Sequence, residues 1–349
     1  MSNIFVVGSY NATAINNAVE RIVINLTFDQ HEALQALRYW AIENGIELRI
    51  LSKYYTHPTM QLLTFLRSND YEVVTAISHI LESIQVRSSI RRSIPKLEYS
   101  LISNNFTKTY DILQQWHCGF DKIGRRPVLY KKFSNEFNLI KLCDSINDKN
   151  TSLLDLDVDV DYYSNTMNLD INALLEYSIE EFEICCKLCY NQTIQQFQYL
   201  DENRKHATIV NSIVIVYDLD GMSFQQIRNE FFKYTYHVLH LAQTQYPSLI
   251  GNIFIINAPL GFYSLYQLFC RTWIHPRVLS VIHVFGLGTG DRIEWMEKLN
   301  SIIGFSNMPE NYGGSLPLLN RDTAPYAEYI FEGKWGVWCS HVWLLSIYI

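Results

Sequence analysis

The amino-acid sequence predicts an α/β fold in which a mixed, largely parallel sheet follows an all-helical N-terminal lobe. In the second half of the chain, short apolar runs rich in Val, Ile and aromatic residues alternate with segments long enough to be helices. Strands joined by such connections favour parallel pairing, because a parallel crossover needs about a dozen residues or more. The N-terminal part instead carries apolar residues at helical spacing.

Composition excludes several classes of protein. The chain has 349 residues, of which 48% are hydrophobic and 18% are charged, so it can fill a core and is not disordered. Its net charge of −7 argues against nucleic acid as a partner, because that affinity comes mainly from Lys and Arg. Cysteine is odd in number, the N-terminus lacks a basic signal segment, and no apolar run could span a bilayer. We therefore expect a cytoplasmic protein.

Three regions differ in pattern. Residues 1–108 form the predicted helical lobe, and residues 109–320 form the predicted α/β domain. The domain is interrupted at 138–170 by a polar, acidic insertion. Residues 321–349 are a C-terminal tail whose aromatic end could serve as an interfacial membrane anchor, a final strand or a final helix.

Individual elements follow from the local patterns. Apolar residues at helical spacing predict helices in the lobe over 29–49 and 73–84. Runs of Val, Ile and aromatic residues predict strands at 127–133, 212–219, 252–257 and 280–285. Helical periodicity in the same domain predicts helices over 174–199, 224–245, 262–273 and 293–302. The strands at 212–219 and 252–257 are apolar on both faces, which is typical of a sheet covered on each side.

Four motifs resemble catalytic or metal-binding patterns, and each departs from the pattern that its chemistry needs. Cys118 and Arg125 stand one residue too far apart for the phosphate loop of a thiol phosphatase, which is the enzyme alternative. The acidic run Asp155–Asp161 lacks the Gly and the final Glu of a calcium loop. Gly286–Asp291 ends in an acid where a dinucleotide loop has Gly, and Cys186–Cys189 is a single Cys pair. We expect no catalytic residue, metal or cofactor.

Aromatic residues are concentrated in one part of the α/β domain. Residues 222–273 hold 12 of them, and the helix predicted over 262–273 is apolar over most of its circumference. Such a helix is buried, or it covers something apolar. Core packing alone would also explain the pattern. One face of the helix carries Phe262, Tyr266, Phe269 and Trp273.

Six motifs between residues 59 and 314 occur in an order that matches one family. They are the helix pair at 59–76, the Gly-x-Asp entry at 119–128, Val216–Gly221, Tyr246–Pro247, Ile255–Pro259 and Pro309–Gly314. In these motifs the chain resembles the CRAL-TRIO lipid-binding domain family, including its phosphatidylinositol-transfer members. The resemblance implies that the sheet forms the floor of a deep apolar pocket, roofed by a gate helix at 262–273. It also implies hinges at Pro259, Gly261 and Pro276.

The resemblance further implies which side chains meet a lipid. His237 and Arg271 would contact any headgroup. Acyl or ring carbons would be enclosed by Phe231, Tyr234, Val238, Leu241, Phe262, Tyr266, Phe269 and Trp273. Where phosphatidylinositol-binding members carry an acidic residue and two hydroxyls, this chain has His237, Ile213 and Ile215. A sterol, a retinoid or another hydrophobic ligand therefore stays open.

We predict a non-enzymatic, monomeric carrier that binds a phospholipid or another hydrophobic molecule without a cofactor. It would transfer or present that ligand between membranes, be cytoplasmic, and contact membrane surfaces only transiently. The alternative is an adaptor that uses the same fold to recruit a protein or a membrane without transferring lipid.

Overall fold

The computed structural model describes most of the helical region and the sheet. The described residues are 9–46, 57–93, 112–122, 124–133, 137–138, 141–142, 171–198, 208–274 and 276–318. The acidic run Asp155–Asp161 and the tail 321–349 lie outside these ranges.

Within the described residues, four helices form the N-terminal lobe and confirm its predicted all-helical character. They are α1 (Ser9–Ile24), α2 (Phe28–Glu43), α3 (Pro58–Ser68) and α4 (Val73–Ser93). A capping box starts α2, in which the Thr27 and Gln30 side chains each accept from the other's backbone N–H. Pro58 stands in the first turn of α3, where its missing N–H costs nothing. The buried faces of these helices share one apolar core.

In the part of the chain that the structure describes, a five-stranded sheet follows the lobe. Its strands are β1 (Leu113–Phe120), β2 (Pro127–Phe133), β3 (Ile213–Asp218), β4 (Ile250–Ala258) and β5 (Ile282–Gly286), in the spatial order β1-β2-β3-β4-β5. β1 is antiparallel to β2, and every other pairing is parallel. The predicted mixed, largely parallel sheet is confirmed. β1 was not predicted from the sequence, because Gln114, Gln115 and His117 break up the apolar run that would have indicated a strand.

The described residues beyond the lobe also form helices between and after the strands. These helices are α5 (Ile171–Gln198), α6 (Phe224–Gln226), α7 (Phe232–Gln245), α8 (Phe262–Trp273), α9 (Pro276–Leu279) and α10 (Thr289–Ile302). The sequence predicts one continuous helix over 224–245, but a π-helical turn at Ile227–Phe231 joins α6 to α7. α10 begins earlier than predicted, because the Asp291 side chain accepts a hydrogen bond from the Gly288 N–H at 3.1 Å.

Each face of the sheet has its own apolar core. Helices α5, α7 and α8 cover one face, which we call the helix-covered face. Helix α10 and the turns that follow it cover the other face. Every residue of β3 is buried, as expected for a central strand covered on both sides.

The lobe packs against the helices that cover the sheet. Phe197, near the end of α5, lies in the lobe's core. Between α4 and α7, the Ser83 hydroxyl donates to the Thr244 carbonyl at 3.3 Å, and the Gln245 amide donates to Glu82 at 3.3 Å. The lobe is thereby fixed to α5 and α7.

Candidate functional site

Eight aromatic rings fill the space between the helix-covered face and helices α7 and α8. We call them the aromatic cluster: Phe133, Phe137, Tyr217, Phe231, Phe232, Tyr234, Phe262 and Tyr266, none more than 9% exposed. The Phe133 ring centroid lies 5.1 Å from that of Phe231 and 5.5 Å from that of Tyr234, both edge to face. Phe262, the first residue of α8, stacks on Phe232 with ring centroids 5.4 Å apart. The start of α8 is therefore held by aromatic contacts to α7.

The turn before α8 requires glycine at 261. Gly261 has a φ of +85°, a conformation that other residues adopt only with strain. A Cβ at this position would also lie 2.9 Å from the Phe224 ring. Gly261 thus fixes the direction in which α8 leaves β4.

The structure brings together six of the ten side chains predicted to meet a lipid. Phe231, Tyr234, Phe262 and Tyr266 belong to the aromatic cluster. Val238 and Leu241, from α7, are buried in the same core. Phe269, Arg271 and Trp273 belong to α8, but their side chains lie outside the described residues.

His237 lies on the partly buried side of α7, next to the Tyr236 ring. Burial, reinforced by nearby His240, lowers the pKa of His237 to about 4. The imidazole is therefore neutral near pH 7 and could offer a headgroup only neutral hydrogen bonds.

A buried ion pair, which was not predicted from the sequence, lies beside the aromatic cluster. The Lys131 ammonium donates to the Glu181 carboxylate at 2.6 Å and to the Tyr234 hydroxyl at 2.6 Å. Both ionic side chains are at most 1% exposed. Burial lowers the pKa of Lys131, but the Glu181 charge and hydrogen bond, together with nearby Tyr217 and Tyr177, raise the pKa above its usual value. The lysine is therefore charged throughout the physiological range.

Lys131 could have been found from the pattern of β2. It stands two residues from both Leu129 and Phe133, so strand alternation places all three on the same face. A lysine on a buried face needs a partner. The identity of that partner depends on how α5 crosses the sheet, which local pattern does not reveal.

Polar side chains flank Lys131 on both neighbouring strands. Gln115 is opposite Lys131 in the β1–β2 pairing, and Tyr217 is opposite it in the β2–β3 pairing. We call Gln115, Lys131, Tyr217 and Glu181 the polar row. Within the described part of the chain, both amide atoms of Gln115, the Tyr217 hydroxyl and the Glu181 Oε1 atom are buried without a hydrogen-bond partner.

The recognisable motifs mainly hold the fold together. The Asp121 carboxylate accepts from the Arg126 N–H at 2.7 Å and from Arg126 Nε at 2.7 Å. The Asp218 carboxylate accepts from the Asn257 amide at 2.8 Å and from the Tyr312 hydroxyl at 3.3 Å. Three separate motifs thus meet at Asp218, at the end of β3. The spacing of these motifs therefore indicates the fold and does not indicate which ligand binds.

The geometry does not support a catalytic thiol at Cys118. This residue lies within β1, buried against the core on the α10 side of the sheet, whereas the phosphatase motif needs its thiol in a loop. Cys185 and Cys189 are buried as well, and burial raises both thiol pKa values well above the usual range. Both pack in the apolar core of the helix-covered face.

Comparison with known proteins supports one family. The family model described as CRAL/TRIO domain matches residues 159–314, which include β3, β4, β5 and the whole of α8. Residues 159–314 of this chain therefore match the CRAL-TRIO domain. The predicted family resemblance is confirmed.

Curated CRAL-TRIO relatives agree with this assignment. A CRAL-TRIO domain-containing protein of Saccharomyces cerevisiae is 21% identical over 95% of this chain and 91% of its own length. The SEC14 cytosolic factor of Kluyveromyces lactis is 26% identical over 38% of this chain. A phosphatidylinositol/phosphatidylcholine transfer protein of Arabidopsis thaliana, SFH7, is 24% identical over 44% of this chain. The matches span only 41% and 27% of those last two relatives.

Proposed function

We propose that this CRAL-TRIO protein is a non-enzymatic carrier that binds a hydrophobic lipid on the helix-covered face of the sheet. It transfers or presents that lipid between membranes. The aromatic cluster is the observation that carries the proposal, because it places a large apolar surface directly beneath the start of α8. A CRAL-TRIO relative from Arabidopsis thaliana is named as a phospholipid transfer protein, which supports the same activity here.

Enclosure of a lipid follows from the position of α8. If α8 swings about Gly261, the contact between Phe262 and Phe232 opens and exposes the aromatic cluster. A lipid that enters keeps its chain out of water, and this burial, at about 0.8 kcal/mol per CH₂ group, offsets what the chain loses on leaving the bilayer. When α8 returns, the lipid is shielded from water.

The entrance to this region carries an exposed apolar surface. Leu260 is 95% exposed and Tyr263 is 63% exposed, on either side of Gly261. Phe224, whose ring faces Gly261, is 43% exposed. We call these three side chains the apolar rim. Apolar and aromatic groups next to the moving helix are suited to transient insertion at a bilayer interface. This rim would bring a cytoplasmic carrier to membranes only briefly.

Replacing Leu260 with aspartate is expected to slow lipid transfer between vesicles about tenfold or more. The carboxylate would have to enter the bilayer interface at the point where α8 opens, and each 1.4 kcal/mol of that cost gives a factor of ten. Transfer of a fluorescent lipid from donor to acceptor vesicles measures the effect.

Ile42→Asp is the matched control, because Ile42 is 70% exposed but lies on α2 in the lobe. This variant should transfer lipid at the rate of the unmodified protein. Equal rates for Leu260→Asp and Ile42→Asp would contradict a membrane role for the apolar rim.

Lipid extraction tests the proposed function itself. Purified protein is denatured in organic solvent, and the extract is analysed by mass spectrometry beside a vesicle-transfer assay. A carrier yields a defined lipid in near-stoichiometric amount and moves lipid between vesicles. An adaptor that recruits partners without lipid yields no lipid and no transfer, and this result would overturn the proposal.

A further inference from the structure

The polar row presents unused hydrogen-bonding atoms inside an apolar core. Gln115 is 8% exposed, and Tyr217 and Glu181 are fully buried, yet each has a polar atom without a described partner. Buried polar groups in proteins are nearly always hydrogen-bonded. Several such atoms beside one lysine therefore indicate that a further molecule completes their hydrogen bonds.

The position of the row connects it to the lipid region. Lys131 of the row donates to the Tyr234 hydroxyl, and the Tyr234 ring belongs to the aromatic cluster. Tyr217 belongs to both groups, because its ring centroid lies 5.8 Å from those of Phe133 and Phe231. A molecule whose carbons contact the aromatic cluster can therefore reach the row with a polar end.

The charges of the row restrict what that polar end can be. Its ionic side chains are one lysine and one glutamate, which already neutralise each other at 2.6 Å. A phosphate would bring an uncompensated negative charge next to the Glu181 carboxylate in a desolvated site, which is costly. An uncharged group avoids this cost.

The donors and acceptors of the polar row further restrict which chemical group can bind there. Glu181 Oε1 can only accept, whereas the Tyr217 hydroxyl and the Gln115 amide can donate. The group that fits must donate one hydrogen bond and accept another. An alcohol does both, whereas an ester or a ketone only accepts.

Building on the proposed carrier function, we propose that the polar row binds the free hydroxyl of a neutral lipid alcohol whose carbons lie against the aromatic cluster. Glu181 accepts the hydrogen bond from the hydroxyl, and Tyr217 or Gln115 donates one to it. Sterols, diacylglycerols and retinol share this chemistry. Capping the hydroxyl as an ester removes the donor that Glu181 needs.

Paired ligands test this directly. Binding of dehydroergosterol, dioleoylglycerol and retinol to the full chain is compared with binding of the acetate of each. At least one free alcohol should bind about tenfold more tightly than its acetate, because a site built to hydrogen-bond a hydroxyl rejects analogues that lack it. If lipid binds but no pair shows a preference, the inference fails while the carrier function stands. If no lipid binds or is transferred at all, both fail.

Tyr217→Phe links the preference to the row. The substitution removes only a hydroxyl that has no hydrogen-bond partner among the described residues. The midpoint of thermal unfolding of the variant should therefore not fall below that of the unmodified protein. The ratio of alcohol to acetate affinity should fall about three- to tenfold. Tyr130→Phe is the matched control, because the Tyr130 hydroxyl is also buried without a described partner but lies in the core on the α10 side. An unchanged ratio in Tyr217→Phe, or an equal fall in Tyr130→Phe, would overturn the assignment.

Discussion

Replacing Lys131 with methionine is expected to lower the free energy of unfolding by about 3–5 kcal/mol. Methionine fills a similar volume, but it leaves the Glu181 carboxylate in the core without its partner. It also removes the donor to the Tyr234 hydroxyl. An isolated buried charge costs far more than the net gain from the intact pair. Urea denaturation of the variant and the unmodified protein gives the difference.

The double variant Lys131→Met, Glu181→Leu separates the loss of the pair from the stranded charge. Removing both charges should recover most of the lost stability, to within about 1–2 kcal/mol of the original protein. A double variant as unstable as the single one would show that the loss does not come from the Glu181 charge left without its partner.

Acidification is expected to destabilise the fold, starting below about pH 6.5. Burial, with a smaller effect from Lys131, lowers the pKa of His117 to about 3, and burial with His240 lowers that of His237 to about 4. Above pH 6.5 both are neutral in the folded and unfolded chain, so neither affects stability. Between about pH 6.5 and pH 4 only the unfolded chain takes up the proton. Each histidine then costs up to about 1.4 kcal/mol per pH unit.

Urea unfolding near pH 7 and near pH 5 measures this loss. A fall of about 1.5 pH units below the unfolded pKa amounts to roughly 2 kcal/mol for each of the two histidines. Burial also lowers the pKa of His57, His240 and His283, so these residues contribute to the acid-induced loss in the unmodified protein. The contributions of His117 and His237 are therefore measured with single variants. His117→Gln and His237→Gln should each reduce the acid-induced loss by about that share. An unchanged loss in both variants would refute the assignment.

Much of the sheet could be predicted from sequence because its central strands bury both faces. Apolar runs at 212–219 and 252–257 leave little choice but a covered strand, and both become central strands. β1 was missed because its strand character comes from pairing with β2, and its polar residues hide the pattern. The π-helical turn at Ile227–Phe231 was missed for a related reason, since its extra residue is accommodated by tertiary packing.

Some residues of the candidate site could likewise be predicted from local sequence pattern, and others could not. The helical spacing of Phe262 and Tyr266 and the aromatic content of 222–273 indicated side chains that do pack together. Lys131 and Tyr217 could have been assigned to the helix-covered face from strand alternation alone. Glu181 could not, because 49 positions separate it from Lys131 and only the crossing of α5 over β2 brings the two charges within 2.6 Å.

The spatial order of the strands has a consequence for biosynthesis. Each described strand from β2 to β5 lies beside the strand that precedes it in the chain. On the ribosome, every strand therefore emerges after its partner, and the sheet can grow from one edge to the other during translation. The intervals are unequal, since residues 134–212 separate β2 from β3 whereas 219–249 separate β3 from β4. Among the described strands, the β1–β2 hairpin thus has the longest interval before its next partner, β3, is synthesised. Slowed translation before β3 would prolong the exposure of the unpaired edge of β2.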